Sequence, residues 1–202
     1  MEHAAIGREG IFMTIEGGKK YTVADMEALP EGERAELIDG EIFMMAAPSL
    51  VHQDLLMWLG TTVRNYIAGH KGGCRVLPAP FAVYIKKDPY NYVEPDISVI
   101  CDRDKLDNKG CHGAPDWVIE IVSPSGRRMD YVRKLALYSE AGVRLYWIVD
   151  PVRRNITVYD LEHDGAPEFH SFQERVKADI YEDFEIDFSE YLEEMEEINH
   201  NE

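Results

Sequence analysis

Two short apolar segments, 96–101 and 117–122, constrain the fold of this chain more than any other feature. Both are rich in Val and Ile and are bounded by loop-forming residues, a pattern typical of strands covered on both faces of a sheet. Each also contains one acidic residue, Asp96 in the first and Glu120 in the second. A carboxylate inside an apolar strand is costly unless a cation or a donor pairs with it. The sequence therefore predicts a buried sheet that holds carboxylates in need of a partner.

The first half of the chain contains two helix starts and one tight turn. Thr22 and Asp25 have the spacing of a capping box and predict a short helix. The dipeptide Asp39-Gly40 lies between two strand-like runs and predicts a hairpin, because this pair accepts a positive φ. Ser49 opens a long helix that Gly72-Gly73 ends. The apolar residues of that helix recur at steps of three and four, which predicts one face packed on a sheet: Leu55, Leu56, Leu59, Val63, Tyr66 and Ile67.

Further strand-like runs cover residues 74–77, 81–85, 145–149 and 156–159, and a second helix is predicted over 129–140. Four residues of the second helix are expected to face inward: Val132, Leu135, Ala136 and Ser139. The order of these elements predicts an α/β fold, a mixed β-sheet core flanked by α-helices.

Length and charge define the expected organisation. The chain has 202 residues with 45% hydrophobic content, which suffices for one core but is short for two. We expect an irregular lead-in over 1–20, one domain over 21–180 and an acidic helix or tail over 181–202. The net charge is −17, and residues 182–202 include ten acids and no Lys or Arg. This segment is typical of a solvated tail or of an element that docks on a partner. The charge argues against a protein that merely coats DNA.

Cysteine content and hydropathy indicate the cellular compartment. Cys74, Cys101 and Cys111 are odd in number and include no C-x-x-C pair, so we expect reduced thiols rather than a disulfide framework or a zinc site. The chain has no apolar run of about 18 residues, and its start lacks the basic-then-apolar order of a secretory signal. We therefore expect a cytoplasmic protein with no membrane partner.

Asp96 and Glu120 are the candidate metal ligands. Two neighbouring strands that each offer one carboxylate provide the oxygen atoms that Mg²⁺ prefers. Asp116 is a poorer partner for Glu120, because four residues of strand separate the two by about 13 Å. The alternative is that Asp96 and Glu120 pair with arginines or cap the ends of strands.

Charged residues gather at the start of the second predicted helix: Arg127, Arg128, Asp130, Arg133 and Lys134. Asp130, Lys134 and Tyr138 are one turn apart, so they share a face, which we expect to lie away from the apolar stripe. One interpretation is an exposed Asp–Lys ion pair that contributes about 0.3–0.5 kcal/mol. The other is a cation turned toward the metal site, where it holds a phosphate or positions the attacking water.

Four segments together carry a family resemblance. They are ELIDGE at 36–41, PDI at 95–97, PDWVIEIVSPS at 115–125, and the stretch from Lys134 through Tyr138 to YWIVDP at 146–151. In this order they resemble the Uma2 family, a set of restriction endonuclease-like proteins in the PD-(D/E)XK nuclease superfamily. The resemblance runs over about residues 21–161. It implies a mixed sheet with flanking helices and a Mg²⁺ site at one edge.

The resemblance also implies roles for individual residues. Asp96 matches the aspartate of the motif, and Glu120 matches the acidic residue of the (D/E)XK element. Glu36 matches an upstream glutamate that completes the metal shell in this superfamily. The chain departs from the motif at Val122, where a lysine is expected and where only the backbone carbonyl can ligate an ion. Lys134 resembles a lysine that has migrated to the next helix.

Two further residues are candidates on the same grounds. His52 follows Ser49 at the start of the long helix and is a candidate for contact with phosphate or with the metal shell, the alternative being a capping or core histidine. Tyr138 is a candidate for orienting Lys134, the alternative being ordinary packing.

These residues imply an Mg²⁺-dependent endonuclease that hydrolyses phosphodiester bonds of DNA, with Mn²⁺ as a substitute ion. DNA is the expected partner, and a homodimer is one expected assembly. One alternative is a catalytically degenerate nuclease fold that acts as a binding or regulatory module, which Val122 and the negative charge favour. Another is a structural protein whose acidic sheet residues are only salt-bridged.

Overall fold

The computed structural model describes residues 20–123, 126 and 128–199, with side chains described as far as Met195. The expected lead-in falls almost wholly outside these residues, as does Arg127. The helices are α1 (Val23–Glu27), α2 (Leu50–Gly69), a 3-10 helix (Arg103–Lys105), a π-helix (Met129–Lys134), α3 (Leu135–Ala141) and α4 (Phe188–Asn199). The strands are β1 (Ala35–Ile38), β2 (Glu41–Met44), β3 (Arg75–Pro78), β4 (Val83–Tyr84), β5 (Ile97–Ile100), β6 (Cys111–His112), β7 (Trp117–Ile121), β8 (Leu145–Asp150), β9 (Asn155–Asp160), β10 (Glu168–Ser171), β11 (Arg175–Lys177) and β12 (Glu185–Asp187).

A six-stranded sheet with the order β10-β9-β8-β7-β5-β3 forms the centre of the molecule. β7 and β8 are parallel, and the other neighbours in this sheet are antiparallel. The π-helix and α3 connect the two parallel strands, as a crossover between parallel strands requires. The predicted α/β fold with a mixed sheet and flanking helices is confirmed.

The two faces of this sheet pack into separate cores. Side chains alternate along a strand, so Trp117 and Ile119 of β7 face one core, and Val118 faces the other. The first core is covered by α2, α4 and the β11–β12 pair. The second is covered by α3 and the β1–β2 hairpin, and it receives the carboxylate of Glu120. Glu120 therefore belongs to the face of the sheet that the crossover helix covers.

Three local predictions for the first half of the chain are confirmed. Asp25 Oδ2 accepts a hydrogen bond of 2.7 Å from the backbone N–H of Thr22, which forms the capping box. Asp39 and Gly40 have φ angles of 52° and 84°, as the turn of the β1–β2 hairpin requires. Ser49 caps α2, whose predicted apolar face is buried.

The inward face predicted for the second helix is wrong for three of its four residues, whereas Leu135 is partly buried against the second core. Val132 is 58% exposed, and Ala136 and Ser139 are also exposed. The buried residues are instead Asp130, Lys134, Leu137 and Tyr138. The helix begins with a π-turn, where the period of 3.6 residues does not apply. It also covers a carboxylate on the sheet, so polar side chains take the inner positions.

The prediction of three reduced cysteines is wrong as well. Cys74 and Cys101 form a disulfide, and only Cys111 is free. β3 pairs with β5 so that Arg75 is opposite Ile100, and the next pair in this register is Cys74 opposite Cys101. The two cysteines are 27 positions apart in the sequence, and this spacing gave no indication of the contact, because the contact depends on the pairing of the strands.

The acidic C-terminal segment contributes apolar side chains to the first core. It contains β12 and α4, and Phe188 and Tyr191 are 0% and 2% exposed. Phe188 lies 5.0 Å from Phe172, measured between ring centroids.

Within the described residues, no helix combines the length and apolar character needed to cross a bilayer.

Candidate active site

Asp96 and Glu120 lie opposite each other on neighbouring strands. β5 and β7 are antiparallel, with Ile97 opposite Ile119, so the next pair in this register is Asp96 with Glu120. Asp96 Oδ2 accepts a hydrogen bond of 2.7 Å from the backbone N–H of Ile121, which fixes the carboxylate at the end of β7. Both acids therefore lie at the same end of the sheet, as the sequence predicts.

Lys134 and Tyr138 converge on the carboxylate of Glu120 from the crossover helix. Lys134 Nζ donates to Glu120 Oε1 at 2.9 Å, and the Tyr138 hydroxyl donates to the same oxygen at 2.6 Å. Lys134 and Glu120 are only 5% and 3% exposed. The interpretation of Lys134 as a surface ion-pair residue is thus wrong, because its side chain points to the sheet.

Lys134 also contacts two further carboxylates. Its Nζ lies 2.9 Å from Glu36 Oε2 and 3.8 Å from Asp130 Oδ1. The other oxygen of Glu36 accepts a hydrogen bond of 3.1 Å from the backbone N–H of Glu94. We call Glu36, Asp96, Glu120, Asp130 and Lys134 the Lys134 cluster.

Two elements outside the central sheet hold this cluster in place. The β1–β2 hairpin carries Glu36 and is tied to the segment before β5 by two backbone hydrogen bonds between Leu37 and Tyr92, at 2.7 and 2.8 Å. The π-helix carries Asp130, whose backbone carbonyl accepts a hydrogen bond of 3.1 Å from the Tyr146 hydroxyl. Residues distant in sequence are therefore fixed around one ammonium group.

His52 joins the cluster from the first turn of α2. Its Nε2 lies 3.2 Å from Asp96 Oδ2, and its buried Nδ1 has no hydrogen-bond partner among the described residues. Burial lowers the pKa of His52, but the hydrogen bond and the charge of Asp96 outweigh this effect and raise the pKa above its ordinary value. The protonated form, in which His52 carries a positive charge beside Asp96, is thereby favoured.

The cluster contains more negative than positive groups. Three carboxylates lie within 4 Å of the Lys134 ammonium, and a fourth, that of Asp96, is paired with His52 at the margin. Burial raises the pKa of Glu120 well above its ordinary value, and the charges of Asp96, Asp130 and Glu36 add to this effect against that of Lys134. Burial likewise raises the pKa of Asp130 to about 7. A proton or a further cation is therefore needed to balance the acids at neutral pH.

Lys134 stays charged in these surroundings. Burial lowers the pKa of its ammonium group, but the charges of Glu120, Glu36 and Asp130 outweigh burial and raise the pKa well above its ordinary value. Burial raises the pKa of the Tyr138 hydroxyl, and the charge of Glu120 raises it further, so Tyr138 remains a donor. Both groups thus hold Glu120 by donating hydrogen bonds.

The outer side chains of the cluster are more accessible than its centre, and Asp130 on the π-helix has 10% of its side chain exposed. The side chains of His52 and Asp96 are 15% and 13% exposed, whereas those of Glu36, Glu120 and Lys134 are 5–6% exposed. A ligand would therefore approach from the first turn of α2 and meet Asp96 before Glu120.

The donor chemistry of the cluster fits a divalent cation. Its carboxylate oxygens are the ligands that Mg²⁺ prefers, and a doubly charged ion offsets the excess of acids. Among the described residues, however, no three His, Cys, Asp or Glu side chains are gathered closely enough to ligate one ion. Lys134 Nζ occupies the space between Glu36 and Glu120 instead.

Val122 occupies the position where the resemblance described above predicts a lysine. Its side chain is 1% exposed and packs in the second core, on the face that Glu120 shares. The Lys134 ammonium reaches Glu120 from the crossover helix instead. Ligation of an ion by the Val122 carbonyl stays a prediction.

The sequence did not assign Asp130 to the site or Tyr138 to Glu120. Asp130 stands four residues before Lys134, a spacing equally typical of an exposed helical ion pair. Tyr138 contacts Glu120 rather than Lys134, which the spacing on the helix could not distinguish. Both contacts could have been predicted from the position of this helix. A crossover helix buries one face on the sheet, and charged residues on that face need a partner there.

Comparisons with known proteins identify the family and the fold of the chain. A family model for Uma2, described as "putative restriction endonuclease", matches residues 23–192. An uncharacterised protein from Synechocystis sp. is 29% identical over 134 residues, which covers 66% of this chain and 69% of the relative. The crystal structure of a "putative nuclease belonging to DUF820" from Anabaena variabilis superposes with a TM-score of 0.69 at 20% identity. That similarity covers 85% of this chain and 98% of the other and concerns the fold. Because the family model spans most of the sequence, the chain belongs to the Uma2 family of restriction endonuclease-like proteins.

Proposed function

We propose that this protein is a metal-dependent endonuclease that hydrolyses phosphodiester bonds of DNA. The observation that carries the proposal is the contact of the Lys134 ammonium with Glu36 and Glu120 beside Asp96. A buried lysine next to a pair of strand-borne acids combines a cation for phosphate with oxygen ligands for a metal ion. Membership of a family of restriction endonuclease-like proteins supports the same reaction class.

Asp96 and Glu120 would hold Mg²⁺, for which Mn²⁺ can substitute, with Glu36 and the Val122 carbonyl as further ligands. When bound, such an ion polarises a phosphate oxygen and lowers the pKa of a bound water. The hydrogen bond from Ile121 N–H orients Asp96, and that from the Tyr138 hydroxyl orients Glu120. Both acids are thus kept in position without help from solvent.

At the candidate site, Lys134 and His52 are the protein side chains that contribute positive charge. Lys134 would stabilise the charge that develops on the phosphate in the transition state. His52 lies at the accessible side, where its raised pKa favours a charged imidazole that contacts the incoming phosphate. Because Lys134 is paired with Glu36 and Glu120, its contact with a substrate would require one of these ion pairs to open.

The test is cleavage of supercoiled plasmid and of single-stranded DNA in Mg²⁺ or Mn²⁺. Asp96→Asn, Glu120→Gln and Lys134→Ala are compared with the wild type and with two exposed controls, Glu41→Gln and Arg133→Ala. We expect the three cluster variants to lose activity by about 10²-fold or more, and the controls to retain it. Folding of each variant is checked by circular dichroism. Cleavage that persists in all three cluster variants would come from a contaminant and would contradict the assignment.

A second candidate function is a nuclease fold that binds DNA without cutting it. The observation that favours it is the buried Val122 in place of the motif lysine, together with the saturation of Lys134 by carboxylates. If this second function is correct, the wild type binds DNA but shows no metal-dependent cleavage in the same experiment.

A further inference from the structure

The turn between β8 and β9, residues 151–154, carries two exposed arginines at the end of the sheet where the Lys134 cluster lies. Val152, Arg153 and Arg154 are all exposed, and Arg153 has 61% of its side chain accessible. This turn contains adjacent cations in a chain whose net charge is −17. Its place in the fold suggests what these cations bind.

The strand register fixes the distance from the turn to the cluster. β8 is parallel to β7 with Ile148 opposite Glu120, so the turn begins three residues beyond the level of Glu120. Three residues of strand correspond to about 10 Å. Successive phosphates of one DNA strand are about 3.4 Å apart along the helix axis, so a strand bound at Glu120 reaches the turn within about three nucleotides.

A shared groove relates the turn to the first turn of α2. Arg154 and Val51 both line this groove, and Val51 precedes His52, which lies against Asp96. The remaining lining residues belong mainly to the first core. Arg154 therefore lies near the element that carries His52.

A buried carboxylate fixes the conformation of the turn. Asp150 is fully buried, and its Oδ1 accepts hydrogen bonds of 3.0 and 2.9 Å from the backbone N–H groups of Val152 and Arg153. Its other oxygen lies 3.9 Å from Arg153 Nε. The backbone that carries the arginines is thus preorganised, which lowers the entropic cost of binding an anion.

The backbone conformation of Arg154 suits glycine. Its φ angle is 52°, in the left-handed region that favours glycine or asparagine. Its carbonyl accepts a hydrogen bond of 3.0 Å from Phe172 N–H, a contact that glycine could also make. An arginine at this position costs conformational free energy relative to glycine, so Arg154→Gly removes the side chain without straining the backbone.

From these observations we infer that turn 151–154 is a clamp for the phosphate backbone of the nucleic acid that the Lys134 cluster acts on. Arg153 and Arg154 bind phosphates a few nucleotides from the scissile bond, and Asp150 holds the turn in position. The inference rests on the proposed function and adds a substrate-binding surface to it.

The test is the binding of a fluorescein-labelled DNA duplex, followed by fluorescence anisotropy in EDTA at several salt concentrations. The variants are Arg153→Ala, Arg154→Gly and the double variant. The matched controls are Arg75→Ala and Lys71→Gly, which remove exposed cations from the opposite end of the sheet; Lys71 also has a φ of 52°. We expect each clamp variant to lose affinity on the order of tenfold at 0.1 M salt, and the slope of log K against log salt to fall by about one per arginine.

Arg154→Gly separates binding from folding. Glycine relieves the positive φ, so this variant should unfold at the same temperature as the wild type or higher and still bind DNA more weakly. If the clamp variants bind as tightly as the wild type with an unchanged salt slope, the clamp is refuted while the proposed function stands. If the wild type neither binds nor cleaves DNA, the proposed function fails, and the clamp with it.

Discussion

At the scale of single residues, Lys134 determines whether the buried acids are compatible with the fold. Its ammonium group contacts Glu36 and Glu120 and lies near Asp130. A buried carboxylate without a partner is strongly destabilising, so the lysine is needed for folding in the absence of another cation.

Replacement of Lys134 by Met should therefore lower the free energy of unfolding by about 3–5 kcal/mol at neutral pH, because the acids lose their buried partner. Chemical denaturation measures this change. The matched control is Arg133→Met, which removes the neighbouring cation from an exposed pair with Glu41 and should cost no more than about 1 kcal/mol. Equal effects of the two substitutions would show that Lys134 is not paired as described.

Asp130 should make stability depend on pH in an unusual direction. Burial raises its pKa from 3.8 to about 7, so between these values the folded protein keeps a proton that the unfolded chain has lost. The protonated Asp130 carboxyl therefore favours the folded state at low pH. As the pH rises toward 7, this contribution to the free energy of unfolding is lost by roughly 1.4 kcal/mol per pH unit.

Asp130→Asn removes this titration. In metal-free buffer, denaturation at a series of pH values between about 5 and 8 should give a smaller decline for the variant, which should be the more stable protein at the alkaline end. Because the charge of Asp130 also raises the pKa of Glu120, the difference between the two curves reports on Asp130 together with its effect on Glu120. Parallel curves would contradict the raised pKa.

Part of the site can be predicted from single residues. Asp96 and Glu120 can be paired because acids in two apolar runs need a common partner, and Lys134 because the family resemblance includes it. Asp130 could not be assigned, since a spacing of four residues from a lysine also fits a surface pair. The Cys74–Cys101 disulfide was missed for a related reason, because only the pairing of β3 with β5 brings the two residues together.

At the scale of elements, the crossover helix and α4 show how tertiary contacts override sequence periodicity. The crossover helix buries Asp130 and Lys134 and exposes Val132, because its inner face meets the carboxylate of Glu120. The strands and α2 were predictable, since their apolar residues follow the simple periods of buried elements.

Helix α4 gives a prediction at this scale. Phe188 is fully buried against Phe172 and Trp58, so Phe188→Ala should cost about 3–5 kcal/mol of unfolding free energy. Phe169→Ala is the control, because Phe169 is 73% exposed and its loss should change stability by about 0.5 kcal/mol or less. If Phe188→Ala were as mild as the control, the acidic segment would be a solvated tail and α4 would not be part of the core.

At the scale of the whole molecule, the proposed function requires a protein with a net charge of −17 to bind a polyanion. In the described structure, positively charged groups lie at one end of the sheet. Lys134 and His52 lie at the cluster, and Arg153 and Arg154 lie at the same end. A divalent cation in the cluster would reduce the negative charge where the phosphate has to bind.

The most direct test of this account is a titration of the wild type and of Asp96→Asn with Mg²⁺ and Mn²⁺ while thermal unfolding is followed at constant ionic strength. An ion that binds only the folded state, at a concentration of 100 times its dissociation constant, adds about 2.7 kcal/mol to the free energy of unfolding. For a chain of this size, this corresponds to a rise in melting temperature of roughly 5–10 °C. The account predicts this rise for the wild type and for the exposed control Glu41→Gln, and its loss in Asp96→Asn. An unchanged melting temperature in the wild type, or an equal rise in Asp96→Asn, would contradict a metal site at the Lys134 cluster.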